Sequence, residues 1–372
     1  MYAHGKMSIF VRYEQEVNTM VSDTDMVTIN DVAKAAGVSK GTVDRVLHNR
    51  GEVSSKSREK VLRVIEELGY KPNVYASMLA SQKKRTICCI IPEYAEGDFW
   101  SMTAKGLLKA GESSSHYGIK VEIMTYDQYE IESFRQVCQN VLGSNPSGVI
   151  VAPVFRAETL VFANELAGRG IPYVYIDSKI EEDEGYMAYF GMPMFQSGYL
   201  CADILMNGTP TERLYVVRIE RDKAGQSDPT AARRAGFMKY MAENYPQTEI
   251  VNVFIDPKDK ECRHARLDEA FAKDSGRKLI VMFNSRIHLV AAYLRERGLN
   301  DCRVVGFDFL ERNVAAMKDD LVQVLIAQHS DRQAASAVLS ITDKFVLGKD
   351  VAKKDNFTQM DILNKINCDY YM

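Results

Sequence analysis

Thr28–Leu47, TINDVAKAAGVSKGTVDRVL, reads as two short helices joined by a tight turn. Thr28 with Asp31 three residues later forms a capping box, in which hydroxyl and carboxylate each satisfy a free backbone N–H. Ile29, Val32 and Ala33 recur at helical spacing, and Gly37 supplies the left-handed residue that ends the first helix. Ser39 caps the second helix, whose buried face is Val43, Val46 and Leu47. Small Ala33 and Gly37, with apolar Val38 and Val43, let the two helices cross closely at a steep angle. That geometry offers the second helix to a DNA major groove. An ordinary helical hairpin is the alternative that spacing alone leaves open.

The flanking residues narrow the choice. Ser54–Leu68 (SSKSREKVLRVIEEL) is a third amphipathic helix, with Val61, Leu62, Ile65 and Leu68 on one side. Gly69-Tyr70-Lys71-Pro72-Asn73 stops it, because Pro72 biases Lys71 away from helix. A short segment, Val74–Leu79, then runs into Gln82-Lys83-Lys84-Arg85. The motifs TIxDVAxxAGVS, TVxRVL, VSxKSRxKVL, ELGYxPN and Ala76-x-x-Leu79 cover about fifty residues. On these motifs the chain resembles the lac-repressor/galactose-repressor family of bacterial transcriptional regulators.

The resemblance implies an N-terminal all-α helix-turn-helix DNA-binding domain over 26–72 and a hinge helix and linker over 73–85. It further implies an α/β, periplasmic-binding-protein-like, two-lobed ligand-binding and dimerisation domain over 86–372. Family chains start just before TIxDVA, at Met26 here, so residues 1–25 are expected to be a disordered extension or an upstream start-codon choice. The implied DNA contacts are Thr28, Ser39, Lys40, Gly41, Thr42 and Arg45, with Asn73, Ala76 and Leu79 in the hinge. Lys40, Gly41 and Arg45 would face base edges, and the Arg45 fork matches guanine O6 and N7. Leu79 matches a minor-groove wedge. Asp44 stands where the family carries serine; it either accepts from cytosine N4 or faces a neighbouring Arg or solvent.

Charge divides the chain in the same way. Residues 27–85 hold 12 Lys/Arg against 6 Asp/Glu, a local charge of +6, which leaves −9 for the rest of a chain of net charge −3. A basic module on an acidic body fits phosphate binding by the module alone. The seven cysteines include no CxxC pair or zinc-ligand spacing. Reduced, structural cysteines in a cytoplasm are expected. Cys88 and Cys89 are neighbours in an apolar strand, so their side chains should face opposite ways. The first 25 residues hold only the apolar run Ile9-Phe10-Val11, far short of a signal peptide or membrane span.

From Thr86 onward strands and helices alternate. Apolar runs at Ile87–Ile91, Val121–Met124, Val149–Val151 and Tyr173–Ile176 read as buried parallel strands, separated by helical stretches Phe99–Tyr117, Ile131–Leu142 and Ala157–Gly168. A second set follows at Leu214–Ile219, Ile250–Ile255, Leu279–Phe283, Val304–Phe307 and Val322–Ile326. Two successive sets imply two doubly wound subdomains. No GxGxxG after a strand, Walker loop, GxSxG or HExxH occurs, and no cofactor or metal is expected. Cys262-x-His264 reads as surface decoration, and Asp127 as a helix cap.

Ligands of doubly wound folds sit beyond the carboxyl ends of strands. Asp177, Asn284 and Asp308 fall there, and these three match effector positions of the family. So do Arg233 in AARRAGF and Gln328 in IAQH, while Phe99 and Trp100 match aromatics that face a sugar ring. The set suits a polyol: carboxylates accept from hydroxyls, Arg233 and the amides donate back, and an aromatic face packs on C–H groups. Helix capping for the Asp and Asn residues, and core packing for the aromatics, are the plainer readings. Glu93, the GDFW stretch and Ser178 depart from common sugar-binder motifs and leave the ligand open.

The expected protein is therefore a homodimeric regulator, not an enzyme, on double-stranded operator DNA, sensing a small carbohydrate-like effector, with no membrane contact. A sugar-binding transport protein would share the two lobes but lack 27–82. An enzyme would need a nucleophile or metal constellation.

Overall fold

A computed structural model of the 372-residue chain describes residues 27–47, 51, 53–70, 84–219, 230–272 and 276–371. The expectations for residues 1–25 and for the hinge residues Asn73, Ala76 and Leu79 lie outside the described residues. The chain divides into two units, residues 1–77 and 78–372.

In the first unit α1 (Ile29–Ala36), α2 (Lys40–Leu47) and α3 (Ser55–Glu67) close on a core of Val32, Ala33, Ala36, Val43, Val46, Val61 and Tyr70. The Thr28–Asp31 capping box is formed, with Thr28 N donating to Asp31 Oδ2 at 2.8 Å. That bonding holds the Asp31 carboxyl below its usual range. Gly37 ends α1 at φ 64°, and Ser39 and Ser54 accept from the Thr42 and Ser57 amides to cap α2 and α3. The short helices thus hold together because each N-terminus is capped by a side chain and one face of each is buried.

The second unit carries two lobes, each a six-stranded sheet with helices on both faces. The first lobe is built from β1 (Arg85–Pro92), α4 (Phe99–Ser115), β2 (Ile119–Tyr126), α5 (Ile131–Ser144), β3 (Gly148–Val151), α6 (Arg156–Gly168), β4 (Tyr173–Asp177) and β5 (Ala188–Gly191). The second follows with α7 (Met194–Met206), β6 (Arg213–Ile219), α8 (Ala231–Asn244), β7 (Glu249–Ile255), α9 (Lys260–Phe271), β8 (Lys278–Met282), α10 (His288–Arg297), β9 (Cys302–Phe307), α11 (Glu311–Lys318) and β10 (Val324–Ala327). The chain then returns: α12 (Ser330–Leu347) packs on the first lobe, β11 (Asp355–Phe357) joins its sheet, and β12 (Asp361–Leu363) joins the second.

Strand orders are β11-β5-β4-β3-β1-β2 and β12-β10-β9-β8-β6-β7, parallel except for β12 against β10. The two lobes therefore share one topology. Within the described residues the chain passes between them three times, between β5 and α7, between β10 and α12, and between β11 and β12. Cys88 and Cys89 do point to opposite faces of β1, each into a separate apolar layer, and all seven cysteines are free.

Two local expectations are corrected. His264 is buried, not surface decoration, and its ring packs edge-on to Tyr293 at 5.2 Å, because α9 turns it toward α10. Asp127 does not cap α5: its Oδ1 takes the Tyr129 N–H at 2.8 Å, a turn that closes two residues before the helix begins.

Candidate functional site

Phe99, Trp100, Asp177, Arg233, Asn284, Asp308 and Gln328 all line one cavity of about 370 Å³ at the carboxyl ends of the two sheets. Asp177 closes β4 and Asp308 follows β9, the matching strand of the second sheet. Both adopt a left-handed backbone, φ 66° and 70°, which non-glycine residues rarely hold. The turn swings each carboxyl off its strand toward the cleft. Strain of this kind is found where structure is organised around a ligand.

Arg233 arrives from the first turn of α8, which packs backbone to backbone on α7. A Cβ on Gly198 would stand 1.6 Å from the Arg233 carbonyl oxygen, and one on Gly236 would stand 1.8 Å from that of Phe195. Only glycine permits this approach. The buried guanidinium lies 3.9 Å over the Phe307 ring and donates to Ser197 Oγ at 3.2 Å and to the Phe283 carbonyl. Among the described residues its Nη2 meets the thioethers of Met194, at 3.2 Å, and Met192, at 3.9 Å. Thioether sulfur is a weak acceptor, so a ligand hydroxyl or carboxylate would be a better partner.

Gln328 is fixed from both ends. Its Nε2 donates to Asp308 Oδ1 at 3.0 Å, while its Oε1 faces Gln333 Nε2 at 3.4 Å. Gln333 in turn donates to Thr358 Oγ1 at 2.9 Å, and the Thr358 amide bonds to the Gly191 carbonyl at 2.8 Å. One chain of hydrogen bonds thus joins Asp308 to all three passages between the lobes. Tyr189 ties the first of them to the end of β4, its hydroxyl bonding the backbone carbonyl of Asp177 at 2.9 Å and that of Met192 at 3.1 Å.

Electrostatics follow from this packing. Burial pushes the Asp177 carboxyl up to about 7; the Arg233 charge opposes the shift, Asp308 adds to it and a hydrogen bond from Gln328 opposes it. Asp308 is also raised by burial, against the pull of Arg233 and Gln328. Arg233 is lowered by burial, with both carboxylates working to keep it charged. Carboxyls that accept, beside a guanidinium and amides that donate, suit a molecule dense in hydroxyls.

Sequence reasoning missed the residues that hold these groups. Asn313, fully buried, donates to the carbonyls of Ser285, Phe307 and Asp308 at 3.0–3.1 Å and so fixes the Asp308 turn. Its oxygen accepts from the His288 backbone and ring, at 3.2 and 3.0 Å. Gln333, buried on α12, was missed as well. Asn284 lines the cavity with its Oδ1 taking the Arg286 amide at 3.0 Å, a local turn that leaves its NH₂ to donate. Phe99 is buried and Trp100 half-buried, their rings edge to face at 4.9 Å.

In the first unit Lys40, Gly41 and Arg45 are exposed on α2. Ser39 and Thr42 share a hydroxyl bond of 2.9 Å beside the cap, and Thr28 is engaged in its capping box. A Cβ on Gly41 would meet only Ser39 Oγ, at 3.8 Å, so nothing described within the chain requires glycine there. Among the described residues no group of three or more His, Cys, Asp or Glu could hold a metal ion, and no helix is long and apolar enough to cross a membrane.

Residues 28–73 match the family described as bacterial regulatory proteins, lacI family, and residues 87–349 match a periplasmic binding protein domain. A crystal structure from Bacteroides fragilis, described as a LacI transcriptional regulator, superposes with a TM-score of 0.73 at 32% identity, covering 78% of this chain and all of that one. The HTH-type transcriptional regulator DegA of Bacillus subtilis is 33% identical over 150 residues, 40% of this chain and 43% of the relative. The ribose operon repressor of Lactococcus lactis is 32% identical over 152 residues, 41% and 43%. The chain spans about two fifths of the length of these curated relatives. With both segments matched and the two-lobed body shared at this identity, the chain belongs to the lacI family of bacterial regulatory proteins.

Proposed function

We propose that the protein is a homodimeric transcriptional repressor that binds a pseudo-palindromic DNA operator and is controlled by a sugar or sugar derivative. Residues 26–72 bind DNA, 73–85 link, and 86–372 sense the effector and dimerise. The observation that carries the reading is the convergence of Asp177, Arg233, Asn284, Asp308, Gln328, Phe99 and Trp100 on one cavity. The relatives support it, since one is described as a ribose operon repressor.

The mechanism follows from the hydrogen-bond chain. An effector that takes the Asp308 carboxylate competes with Gln328, and Gln328 is tied through Gln333 and Thr358 to the passages between the lobes. Ligand binding thereby biases the angle between the lobes. In a symmetric dimer that angle sets the spacing of two linkers and hence the joint fit of two recognition helices to DNA.

Trp100 is the single tryptophan and lines the cavity, so its fluorescence reports binding directly. Titration with monosaccharides, sugar acids and sugar phosphates should give one saturable change; silence across the panel with operator binding intact would reject a sugar effector. For the DNA side, Arg45→Ala should cost about 1–3 kcal/mol of discrimination at one operator position while salt-sensitive non-specific binding persists. Unchanged specificity in competition gel shifts would remove Arg45 from the base contacts.

A further inference from the structure

The cavity has a second pole. Besides the deep carboxyls it is lined by Lys258, Arg286, His288 and Arg312, all from the second lobe. Arg286 and His288 stand at the start of α10, Arg312 in the first turn of α11, and Lys258 in the turn before α9. Most guanidinium and ammonium groups elsewhere on this lobe are spent: Arg297 on Asp268, Lys260 on Glu296, Arg295 on Asp319. Among the described residues Arg286 and Arg312 have no ion-pair partner, and Lys258 only approaches the Tyr129 ring at 5.2 Å.

His288 marks where these charges meet. Asn313 spends its NH₂ on three carbonyls, so its oxygen must face the His288 Nδ1–H, and ring Nε2 is left as the open position. Burial holds the imidazole below its ordinary value; the Asn313 bond opposes this, and the Arg312 and Arg286 charges add to it. Asp98, from the opposite wall, works the other way, and Glu93 and Asp177 are the other acids of that wall. Asp98 already accepts from the Ala95 amide at 3.1 Å.

We infer that the effector is a sugar bearing an anionic group, a carboxylate or a phosphate, held by Arg286, Arg312 and Lys258, while its hydroxyls engage Asp177, Arg233, Asp308 and the accepting Nε2 of His288. The inference rests on the sugar reading above. A neutral sugar would satisfy the deep pole and leave three cations facing water. An anion opposite the forked guanidinium groups uses both poles, and Arg suits either a carboxylate or a phosphate through paired N–H bonds.

The test uses the full chain and matched trios: glucose, glucuronate and glucose 6-phosphate, the galactose and mannose equivalents, and ribose, ribonate and ribose 5-phosphate. Trp100 fluorescence and titration calorimetry report affinity. One anionic member should bind about 10- to 100-fold more tightly than its neutral parent, the scale of one charge-assisted hydrogen bond. Whether that member is the acid or the phosphate identifies the group. The double variant Arg286→Gln/Arg312→Gln should erase the preference and leave the neutral parent's affinity unchanged, with an unaltered melt and operator binding as controls for folding. Preference for a neutral sugar, or a preference that survives the double variant, overturns the anionic group alone. No binding by any trio member overturns the sugar reading and this inference together.

Discussion

The two lobes are built on one topology and meet the cleft with the same backbone device, yet they bring different chemistry. Asp177 ends β4 at φ 66°, and Asp308 follows the equivalent β9 at φ 70°. The first carboxyl shares its wall with Phe99, Trp100, Glu93 and Asp98. The second is locked by Gln328 and Asn313 and shares its wall with Arg233, Arg286, His288 and Arg312. Repetition supplied two ways of presenting a carboxyl at a strand end; what surrounds each one decides its work. The first-lobe carboxyl is held close to half-protonated at neutral pH, whereas the second is wired to the connections between the lobes.

That contrast can be broken by experiment. Asn replaces either Asp without disturbing a left-handed turn, which Ala would strain by about 1–2 kcal/mol. Asp308→Asn should weaken effector binding about 10- to 100-fold through loss of a charged acceptor, and it should blunt operator release. Asp177→Asn should cost less than about tenfold at pH 7, because its carboxyl is already partly neutral there. Equal losses by calorimetry would erase the proposed difference.

Gly198→Ala sharpens the comparison from the second lobe's side. Its Cβ would collide with backbone of α8, an overlap worth about 1–3 kcal/mol, and it would move Arg233. Lower thermal stability with weaker effector binding is expected. A normal melt and normal affinity would show that the helix pair can shift without cost to the site.

The last test is a pH signature. The folded Asp177 carboxyl, raised to about 7 from an ordinary 3.8, holds a proton that the unfolded chain has already released. Its contribution to stability is full below about pH 4, is lost as pH rises toward 7, and is flat above. Without effector, Asp177→Asn should therefore gain in melting temperature relative to the parent between pH 5 and pH 8. A constant gap would mean that Asp177 titrates normally.

Much of this was legible in the residues. Short, mostly apolar stretches located β1–β4 and β6–β10 to within a few residues, and Thr28, Gly37, Ser39 and Ser54 marked the helix ends of the first unit. The seven cleft residues could be chosen because strand ends and family motifs coincide there. The chain was silent where pairing, not composition, makes the element: β5, β11 and β12 are strands of three or four residues formed by long-range contacts. It was silent as well about Asn313 and Gln333, whose importance lies in what they orient. Nothing in the residues around Gly198 and Gly236 announced the close helix approach that they permit.

The left-handed turns at Asp177 and Asp308 also bound how this sensor can change its taste over generations. Only glycine, asparagine and aspartate hold such a conformation without much strain. In the genetic code an aspartate codon reaches asparagine or glycine by a single base change. These two cleft positions can therefore be retuned cheaply among three residues, from charge to amide to nothing. Any larger innovation must come from the walls around them.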